Sequence, residues 1–346
     1  MTTTRSQPRR SRQPSSPKLT VAVTGPTGDI GRSLLRELEG RREVGRIVAM
    51  ARRPFDPEAA GLRKTEYRQG DVLDAESVRE VVAGADVVVH LAFVIVGDMK
   101  ETTGVNLEGS RNVFSAATEA KAKRLVYASS VAAYGFHDDN PELLTEDVQA
   151  RGTQRHYYSA QKAELEGTLW DLLGNEATEA YVFRPCIVAG PDAQTLLHSI
   201  PYIQLSEKLP AAVRRALGSV PALRPVIPDP GVPFQLVHHD DVATALRAAV
   251  LGRGRPGVYN LAADGTMTMS GLARALGWYS VPMPDLAVEV TAELVARLPF
   301  LPAEAQWIET LRHPVLMDTT RARKLLRWRP QHDAADTLAS MVADRT

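Results

Sequence analysis

The chain has 346 residues, no formal net charge and a hydrophobic fraction of 44%. This length allows one large α/β domain with an appendage or two domains, and the hydrophobic fraction supports a sizeable core. The balanced charge gives no support to nucleic-acid binding. The single cysteine, Cys186, excludes an intrachain disulfide and is typical of a small buried apolar residue.

The first 17 residues are rich in Ser, Thr, Pro and Arg and contain no acidic residue. They lack the apolar stretch of a secretory signal, and their prolines favour a disordered tail over a transit peptide or a nucleic-acid-binding arm. The most apolar run, residues 87–97, is interrupted by His90 and is too short to span a membrane. We therefore expect a cytoplasmic protein that binds neither nucleic acid nor a membrane.

Strand-like and helical patterns alternate from residue 18 onward. The strand-like runs are short and apolar, at residues 19–23, 46–51, 64–69, 86–91, 124–128 and 180–183. Helical spacing falls between them, at residues 30–38, 75–82, 103–120 and 157–173. Such alternation gives parallel pairing with right-handed crossovers. It predicts an α/β fold with a Rossmann-type, doubly wound parallel sheet over residues 18–184.

The pattern loosens from Pro185, and prolines cluster between residues 201 and 233. Short strands are predicted at 235–237 and 258–261, with a helix between them at about 241–251. Further helices are predicted at 287–297 and 333–342. We therefore expect residues 185–346 to form a smaller mixed lobe that binds the substrate, with residues 235–262 returning to the main sheet.

A glycine-rich loop joins the first predicted strand to the first predicted helix. It reads Thr24-Gly25-Pro26-Thr27-Gly28-Asp29-Ile30-Gly31. The first turn of a helix exposes unpaired backbone N–H groups and a partial positive charge. Glycines in the loop allow a tight turn, a close approach to a pyrophosphate and helix–strand packing. Its place between a strand and an amphipathic helix predicts a dinucleotide site rather than an ordinary turn.

The Gly-x-x-Gly-x-x-Gly spacing resembles that of the extended short-chain dehydrogenase/reductases, also called the NAD-dependent epimerase/dehydratase family. The resemblance implies an acidic residue beside the adenine after strand three, where this chain has Gly70-Asp71-Val72. His90-Leu91-Ala92 matches the segment after strand four, and Arg184-Pro185-x-x-Val188-x-Gly190-Pro191 matches the segment near the nicotinamide. It thus places six more residues at the cofactor: Asp71, Val72, Leu91, Ala92, Pro185 and Val188.

The second predicted strand ends in Met50-Ala51-Arg52-Arg53-Pro54, with no acid before Asp56. A carboxylate at this place would bind the adenosine ribose hydroxyls of NAD, whereas arginine suits the extra phosphate of NADP. We therefore expect NADP(H), held by Arg52 and Arg53. A solvated pair of surface arginines, and with it NAD(H), remains the alternative.

Tyr158 and Lys162 lie four residues apart on a predicted helix and therefore share one face. A neighbouring ammonium, together with the charge of the nicotinamide, is expected to lower the tyrosine pKa from about 10 and to make Tyr158 a general acid/base. Tyr157 lacks this spacing, because its partner would be Gln161. Taken alone, the match also suits an exposed helix face.

Two further segments extend the resemblance to catalysis. In Ala128-Ser129-Ser130-Val131-Ala132-Ala133-Tyr134-Gly135, the family's catalytic serine lies five residues before the glycine, which is Ser130 here. Its hydroxyl would bind the reacting oxygen and align it with Tyr158. Val105-Asn106-Leu107-Glu108-Gly109-Ser110 resembles the family's asparagine segment, so Asn106 would fix the strand geometry or hold a relay water. A strand-end serine and an interior helix amide are the structural alternatives.

The segment Val237-His238-His239-Asp240-Asp241-Val242-Ala243 contains donors that could bind a metal. It also runs into a helix, with an aspartate placed as the N-cap. We interpret it as structural and expect no metal.

The substrate is less well specified. Nucleotide-sugar members of the family usually have Asn and Tyr where this chain has Ile187 and Ala189, and often an Arg where it has only Pro233-Phe234-Gln235-Leu236. Apolar side chains that could line a pocket or pack in the core are Val295, Leu298, Phe300, Leu301 and Trp307. We expect an NAD(P)-dependent oxidoreductase that acts on the CH–OH or C=O group of a less polar small molecule.

Two alternatives to this function remain. One is a nucleotide-sugar epimerase or dehydratase, and the other is a non-catalytic NAD(P)-binding regulatory protein, against which the intact Ser130, Tyr158 and Lys162 argue. The resemblance also implies a homodimer, because family members often pair through two long helices, here 103–120 and 157–173.

Overall fold

The computed structural model describes residues 17–95, 102–174, 176–193, 203, 220, 224–284 and 313–343. Their strands are β1 Leu19–Thr24, β2 Val44–Ala51, β3 Thr65–Gln69, β4 Val87–His90, β5 Arg124–Ala128, β6 Glu179–Pro185, β7 Ile187–Ala189, β8 Val226–Asp229, β9 Leu236–His238, β10 Gly257–Leu261 and β11 Tyr279–Pro282. Their α-helices are α1 Gly31–Glu39, α2 Ala75–Val82, α3 Gly109–Glu119, α4 Tyr157–Leu173, α5 His239–Val250, α6 Met269–Ala275, α7 Thr320–Leu325 and α8 Ala334–Val342.

Seven parallel strands form the central sheet, in the order β10-β6-β5-β4-β1-β2-β3. β1 lies between β4 and β2, with Val23 opposite Ala49 of β2 and opposite Val89 of β4. The chain adds strands on one side of β1 and then on the other, so the strand order reverses between β1 and β4. Ligands of open α/β sheets bind outside the carboxyl ends of the strands at such a point. The predicted doubly wound fold is confirmed.

The sheet is buried on both faces, which explains why its central strands read as continuous apolar runs. All four residues of β4 are buried. On one face, α1 and α5 pack their apolar sides against the sheet, with Leu34, Leu38 and Leu246 fully buried. On the other face, α2, α3 and α4 supply a second buried layer that includes Phe114 and Leu165.

The second half of the chain completes the sheet, since β10 pairs with β6 along its whole length. Two small parallel pairs, β7 with β9 and β8 with β11, lie in the same half. A third cluster of buried apolar side chains, including Leu236, Leu272 and Leu338, packs around α6 and α8. The sheet is therefore built from both halves of the chain.

Two predicted helix starts differ in the structure. The predicted helix 103–120 opens with a π-helical turn, Gly104–Glu108, before α3. The predicted helix at 241–251 begins at His239, because the Nδ1 atom of His238 caps it by accepting from Asp240 N at 3.2 Å. The predicted helix 287–297 lies outside the described residues. Within the described ranges, no helix has the length and apolar character needed to cross a membrane.

Candidate active site

The loop after β1 approaches the end of β4 too closely for a side chain. Gly25 has a φ of +75°, and a Cβ atom there would lie 2.6 Å from Ala92 N. A Cβ at Gly31 would overlap the carbonyl oxygen of Gly25, so the start of α1 packs under the loop. At Gly28, by contrast, the nearest atom to an added Cβ is 3.6 Å away, and this residue is exposed. The first and third glycines thus serve the loop's own packing, whereas the second leaves room for a close ligand.

The first turn of α1 lies open at this loop. Its cap residue, Ile30, makes no side-chain capping hydrogen bond, and the first turn contains no acidic residue. The N–H groups at the start of a helix and the helix dipole suit a pyrophosphate. Thr27 and Asp29 are half-buried beside it. The glycine loop and the end of β4, including Leu91 and Ala92, therefore fit the pyrophosphate of a dinucleotide.

The loop after β2 presents two exposed arginines. Arg52 and Arg53 have no ion-pair partner in the described part of the chain. Their backbone is fixed from β3, because Gln69 Nε2 donates to Arg52 O at 3.0 Å and Tyr67 OH donates to Arg53 O. The first acid, Asp56, is occupied in its own turn, where Oδ1 accepts from two backbone N–H groups at 2.9 and 3.1 Å.

The loop after β3 brings Asp71 and Val72, which the sequence predicts beside the adenine, to the same edge of the sheet. Asp71 is half-buried, and its Oδ1 accepts from Leu73 N at 3.1 Å. Val72 is buried, with its side chain close against Gly109 of α3. Pro185 is buried at the end of β6, and Val188 is half-buried in β7.

Ser130 and Tyr158 meet at the carboxyl end of the sheet. Ser130 follows β5 and caps the short 3₁₀ turn Val131–Tyr134, with its Oγ accepting from Ala132 N at 3.2 Å. The same side chain hydrogen-bonds Tyr158, in the first turn of α4. A hydroxyl pair so arranged can bind one substrate oxygen from two sides.

Lys162 lies one helical turn beyond Tyr158 and is only 3% exposed. Its Nζ donates to Ala128 O at 2.8 Å and lies 3.7 Å from the centroid of the Phe93 ring. The Phe93 ring also meets the Tyr158 ring edge to face, with centroids 5.5 Å apart. Phe93 therefore covers both members of the pair. No sequence pattern singled it out, because the resemblance covered only His90-Leu91-Ala92.

Burial shifts both groups away from their ordinary titration ranges. It raises the pKa of Tyr158 to about 12, although the hydrogen bond with Ser130 opposes the shift. It lowers the pKa of Lys162 to about 7, with the carboxylate of Glu166 opposing. The expected lowering of the tyrosine pKa is therefore wrong for the chain by itself: desolvation of the phenolate is the largest influence. Near neutral pH, Tyr158 carries its proton.

Asn106 connects the loop after β4 to α4, the helix that carries Tyr158 and Lys162. It is fully buried in the π-helical turn. Its amide pairs with both backbone groups of Val94, at 2.8 and 2.9 Å, and donates to Gln161 Oε1 at 2.9 Å. π-Helical turns often occur at functional sites. These contacts favour fixing of the strand geometry over positioning of a relay water.

The two histidines between β9 and α5 connect segments of the fold. His239 Nδ1 lies 2.8 Å from Ser33 Oγ, and its Nε2 accepts from Asp192 N at 3.2 Å. With Asp240, these histidines place three donor groups within metal-ligand reach of one another. Because both ring nitrogens of His239 already have partners, the contacts favour the structural interpretation. Asp241 is also structural, since its carboxylate accepts from His332 N at 3.1 Å and from Gln331 N at 2.7 Å.

The apolar residues considered for a substrate pocket lie outside the described residues: Val295, Leu298, Phe300, Leu301 and Trp307. Within the described ranges, sequence reasoning missed a buried ion pair below α4. Arg184 at the end of β6 binds Glu166, and the carboxylate also accepts from Ser129. The one available signal was the position of Glu166, four residues beyond Lys162 on the same helix face.

The chain resembles known proteins in sequence and in fold. A model of the NAD dependent epimerase/dehydratase family matches residues 21–262. Cinnamoyl-CoA reductase 1 of Petunia hybrida is 30% identical over 207 residues, which are 54% of this chain and 61% of that reductase. The match therefore spans less than two thirds of this relative.

Solved structures show the same fold at low identity. The Bordetella bronchiseptica enzyme WbmH, in complex with NAD+, superposes with a TM-score of 0.68 at 18% identity and covers 94% of this chain and 97% of its own. The UDP-glucose 4-epimerase of Thermotoga maritima, with UDP-glucose, superposes with a TM-score of 0.66 at 17% identity and covers 94% and 98%.

Proposed function

Since the chain belongs to the NAD dependent epimerase/dehydratase family, we propose that it is an NADP(H)-dependent oxidoreductase that transfers hydride at a carbonyl or hydroxyl carbon of a small molecule. The observation that carries this proposal is the meeting of Ser130, Tyr158 and Lys162 at the carboxyl end of the parallel sheet, the edge at which the glycine loop follows β1. The dinucleotide, when bound, supplies or accepts the hydride. The side chains of the chain handle the proton and the charge on the reacting oxygen.

The protonation of Tyr158 favours the direction of carbonyl reduction. Its pKa of about 12 keeps the hydroxyl protonated near neutral pH, so it can donate that proton to the oxygen that becomes an alkoxide. Ser130 donates a second hydrogen bond to the same oxygen and aligns it. Lys162, when protonated, stabilises the tyrosinate that remains.

The substrate features favour a reductase over an epimerase. Ile187 and Ala189 stand where nucleotide-sugar enzymes carry polar side chains, and both lie in β7. The cinnamoyl-CoA reductase resemblance points in the same direction, so acyl-CoA thioesters belong in the substrate panel with aldehydes and ketones. A nucleotide-sugar epimerase or dehydratase remains the second candidate, because the solved structures of similar fold include a UDP-glucose 4-epimerase.

Net consumption of NADPH separates these functions. A reductase consumes one NADPH for each product, whereas an epimerase restores its cofactor in every cycle. Absorbance at the NADPH band, recorded over a panel of carbonyl compounds and UDP-sugars, measures this consumption directly.

Tyr158→Phe should abolish turnover and leave NADPH affinity nearly unchanged; a variant with full activity would refute the acid role. Tyr157→Phe is the matched control, because this hydroxyl donates to Ile95 O. If the wild-type protein binds NADPH but does not oxidise it in the presence of any compound of the panel, the result favours the non-catalytic regulatory protein.

Cofactor preference depends on Arg52 and Arg53, which are exposed and have no ion-pair partner among the residues that the structure describes, while Asp56 is occupied locally. We expect NADPH to bind more tightly than NADH. Arg52→Gln with Arg53→Gln should weaken NADPH binding by about tenfold or more, as expected for loss of charged contacts to a phosphate, and should leave NADH binding unchanged. Fluorescence titration measures both affinities. Equal weakening for both cofactors, or tighter NADH binding to wild type, would contradict the assignment.

A further inference from the structure

A buried ion pair joins strand β6 to α4, the helix that carries Tyr158 and Lys162. Arg184, the residue before the last in β6, donates from Nε to Glu166 Oε1 at 2.9 Å and from Nη2 to Oε2 at 2.6 Å. The side chains are 4% and 3% exposed. The guanidinium also lies over the Tyr134 ring, with Cζ 4.3 Å from the centroid. One face and one edge of this guanidinium are therefore occupied by the chain itself.

The same carboxylate reaches the serine segment. Ser129 Oγ donates to Glu166 Oε1 at 2.6 Å, and Ser129 directly precedes Ser130. Glu166 lies one helical turn after Lys162 in α4. One carboxylate thus connects the end of β5, the end of β6 and the helix that carries Tyr158 and Lys162. We call these three side chains, Ser129, Glu166 and Arg184, the buried clamp.

Stability alone is a weak reason for such a pair. Desolvation of two charges cancels much of their attraction, and apolar residues of similar volume often replace a buried pair without loss. A bidentate guanidinium–carboxylate pair does, however, fix one geometry. The rate of a reaction falls steeply when the reacting groups are displaced by a fraction of an ångström. Precise placement of the side chains at this edge of the sheet therefore favours a high rate.

The carboxylate of the clamp also bears on the charge of Lys162. The groups that face this ammonium are Phe93, Tyr127, Tyr158, His90 and Glu166. Of these, only Glu166 carries a carboxyl group. It raises the pKa of Lys162 against the effect of burial.

We propose that Ser129, Glu166 and Arg184 are positioning residues, which hold Ser130 against Tyr158 and fix a carboxylate one helical turn from Lys162. This inference rests on the proposed function, in which Ser130, Tyr158 and Lys162 act on the substrate oxygen. It assigns Arg184 to the support of the catalytic helix, whereas the resemblance had placed its segment only beside the cofactor.

Glu166→Gln tests the charge while keeping the shape and the hydrogen bond from Ser129. We expect kcat for carbonyl reduction to fall by about 10- to 100-fold with little change in KM for NADPH. The alkaline limb of the kcat/KM profile should move to lower pH, because Lys162 loses the anion that favours its ammonium. Ser129→Ala should lower kcat without moving that limb. Glu164→Gln is the control, since this exposed residue of α4 pairs with Arg111 at the surface, and it should change neither quantity.

Loss of one charge of a buried pair can unfold a protein. If Glu166→Gln does not fold, the double variant Glu166→Met with Arg184→Met removes both charges and keeps apolar packing. A folded double variant with reduced kcat supports the proposal. A folded variant of either kind with wild-type kcat and an unmoved alkaline limb overturns it.

A measurement without turnover separates this proposal from the proposed function. The free energy of unfolding is measured against pH for the protein with Lys162 and for the Lys162→Met variant. The difference between the two curves reports the pH at which Lys162 loses its proton. In the Glu166→Gln background, Lys162 should lose its proton at lower pH than in wild type. An unchanged ionisation overturns the electrostatic part of the clamp, whether or not the wild-type protein reduces any carbonyl compound.

Discussion

Lys162 is the buried cation of the candidate site, and its desolvation has a measurable effect on stability. Burial lowers its pKa from 10.5 to about 7. At about 1.4 kcal/mol per pKa unit, the protonated lysine costs roughly 5 kcal/mol of folding free energy below about pH 7. Since the folded-state pKa is the lower one, the unfolded chain binds more protons between the two values. The free energy of unfolding must therefore rise with pH across that window.

Lys162→Met removes this cost together with the hydrogen bond to Ala128 O and the contact with the Phe93 ring. The lost contacts offset about 2 or 3 kcal/mol, so the variant should be more stable than wild type by roughly 1–3 kcal/mol near neutral pH. Its advantage should shrink by about 2 kcal/mol when the pH is raised by about two units. Turnover should be lost at the same time.

Urea unfolding, followed by circular dichroism near neutral pH and about two units higher, measures this difference. Lys123→Met is the matched control, because Lys123 is 62% exposed and pairs with Asp86 at the surface. The difference between that variant and wild type should stay nearly flat. If the difference between Lys162→Met and wild type is equally flat, the burial argument for Lys162 is wrong.

Three further predictions follow from the site. Gly25→Ala places a side chain at φ +75° and against Ala92, so urea unfolding should show a loss of stability of about 1–3 kcal/mol. Gly28→Ala should keep the wild-type free energy of unfolding and bind NADPH more weakly in fluorescence titration. Equal effects of the two variants in both assays would contradict the different roles of the two glycines. Asn106→Ala breaks hydrogen bonds to Val94 and Gln161, so the free energy of unfolding should fall by about 2 kcal/mol and kcat should decrease. A variant with the wild-type free energy of unfolding and the wild-type kcat would show that Asn106 has no positioning role. The kcat/KM of carbonyl reduction should fall as the pH rises through about 7, because Lys162 loses its proton while Tyr158 keeps its own; a profile that rises through this range would refute the assignment.

The features that local spacing determines were predictable from the sequence. The glycine loop lies between one strand and one helix, and Tyr158 and Lys162 lie within one turn of α4, so short segments define both. The buried clamp was not predictable in this way. Arg184 and Glu166 meet only because β6 lies beside β5 and α4 packs over the sheet, and a tertiary contact of this kind has no periodic signal.

The ionisation of Tyr158 shows the same limit. Proximity to Lys162 predicted a lowered pKa, but desolvation is a property of the assembled core and has the opposite sign. The cap of α5 was misassigned for a similar reason: aspartate is a common N-cap, but here a histidine takes that position and the aspartates enter the first turn. The sequence did not indicate β7, β8 and β11, which have three or four residues each and are too short to show an alternating pattern.

The pairing of β10 with β6 has a consequence for synthesis of the chain. β6 has β5 on one side and β10 on the other, and about 70 residues separate β6 from β10 along the chain. At about 5–20 residues per second, a ribosome needs several seconds to make that stretch. During this time one side of β6 has no partner within the nascent sheet, and such open edges bind other chains. We expect fragments that end between β6 and β10 to aggregate, and we expect slower translation of this stretch to increase the need for chaperones.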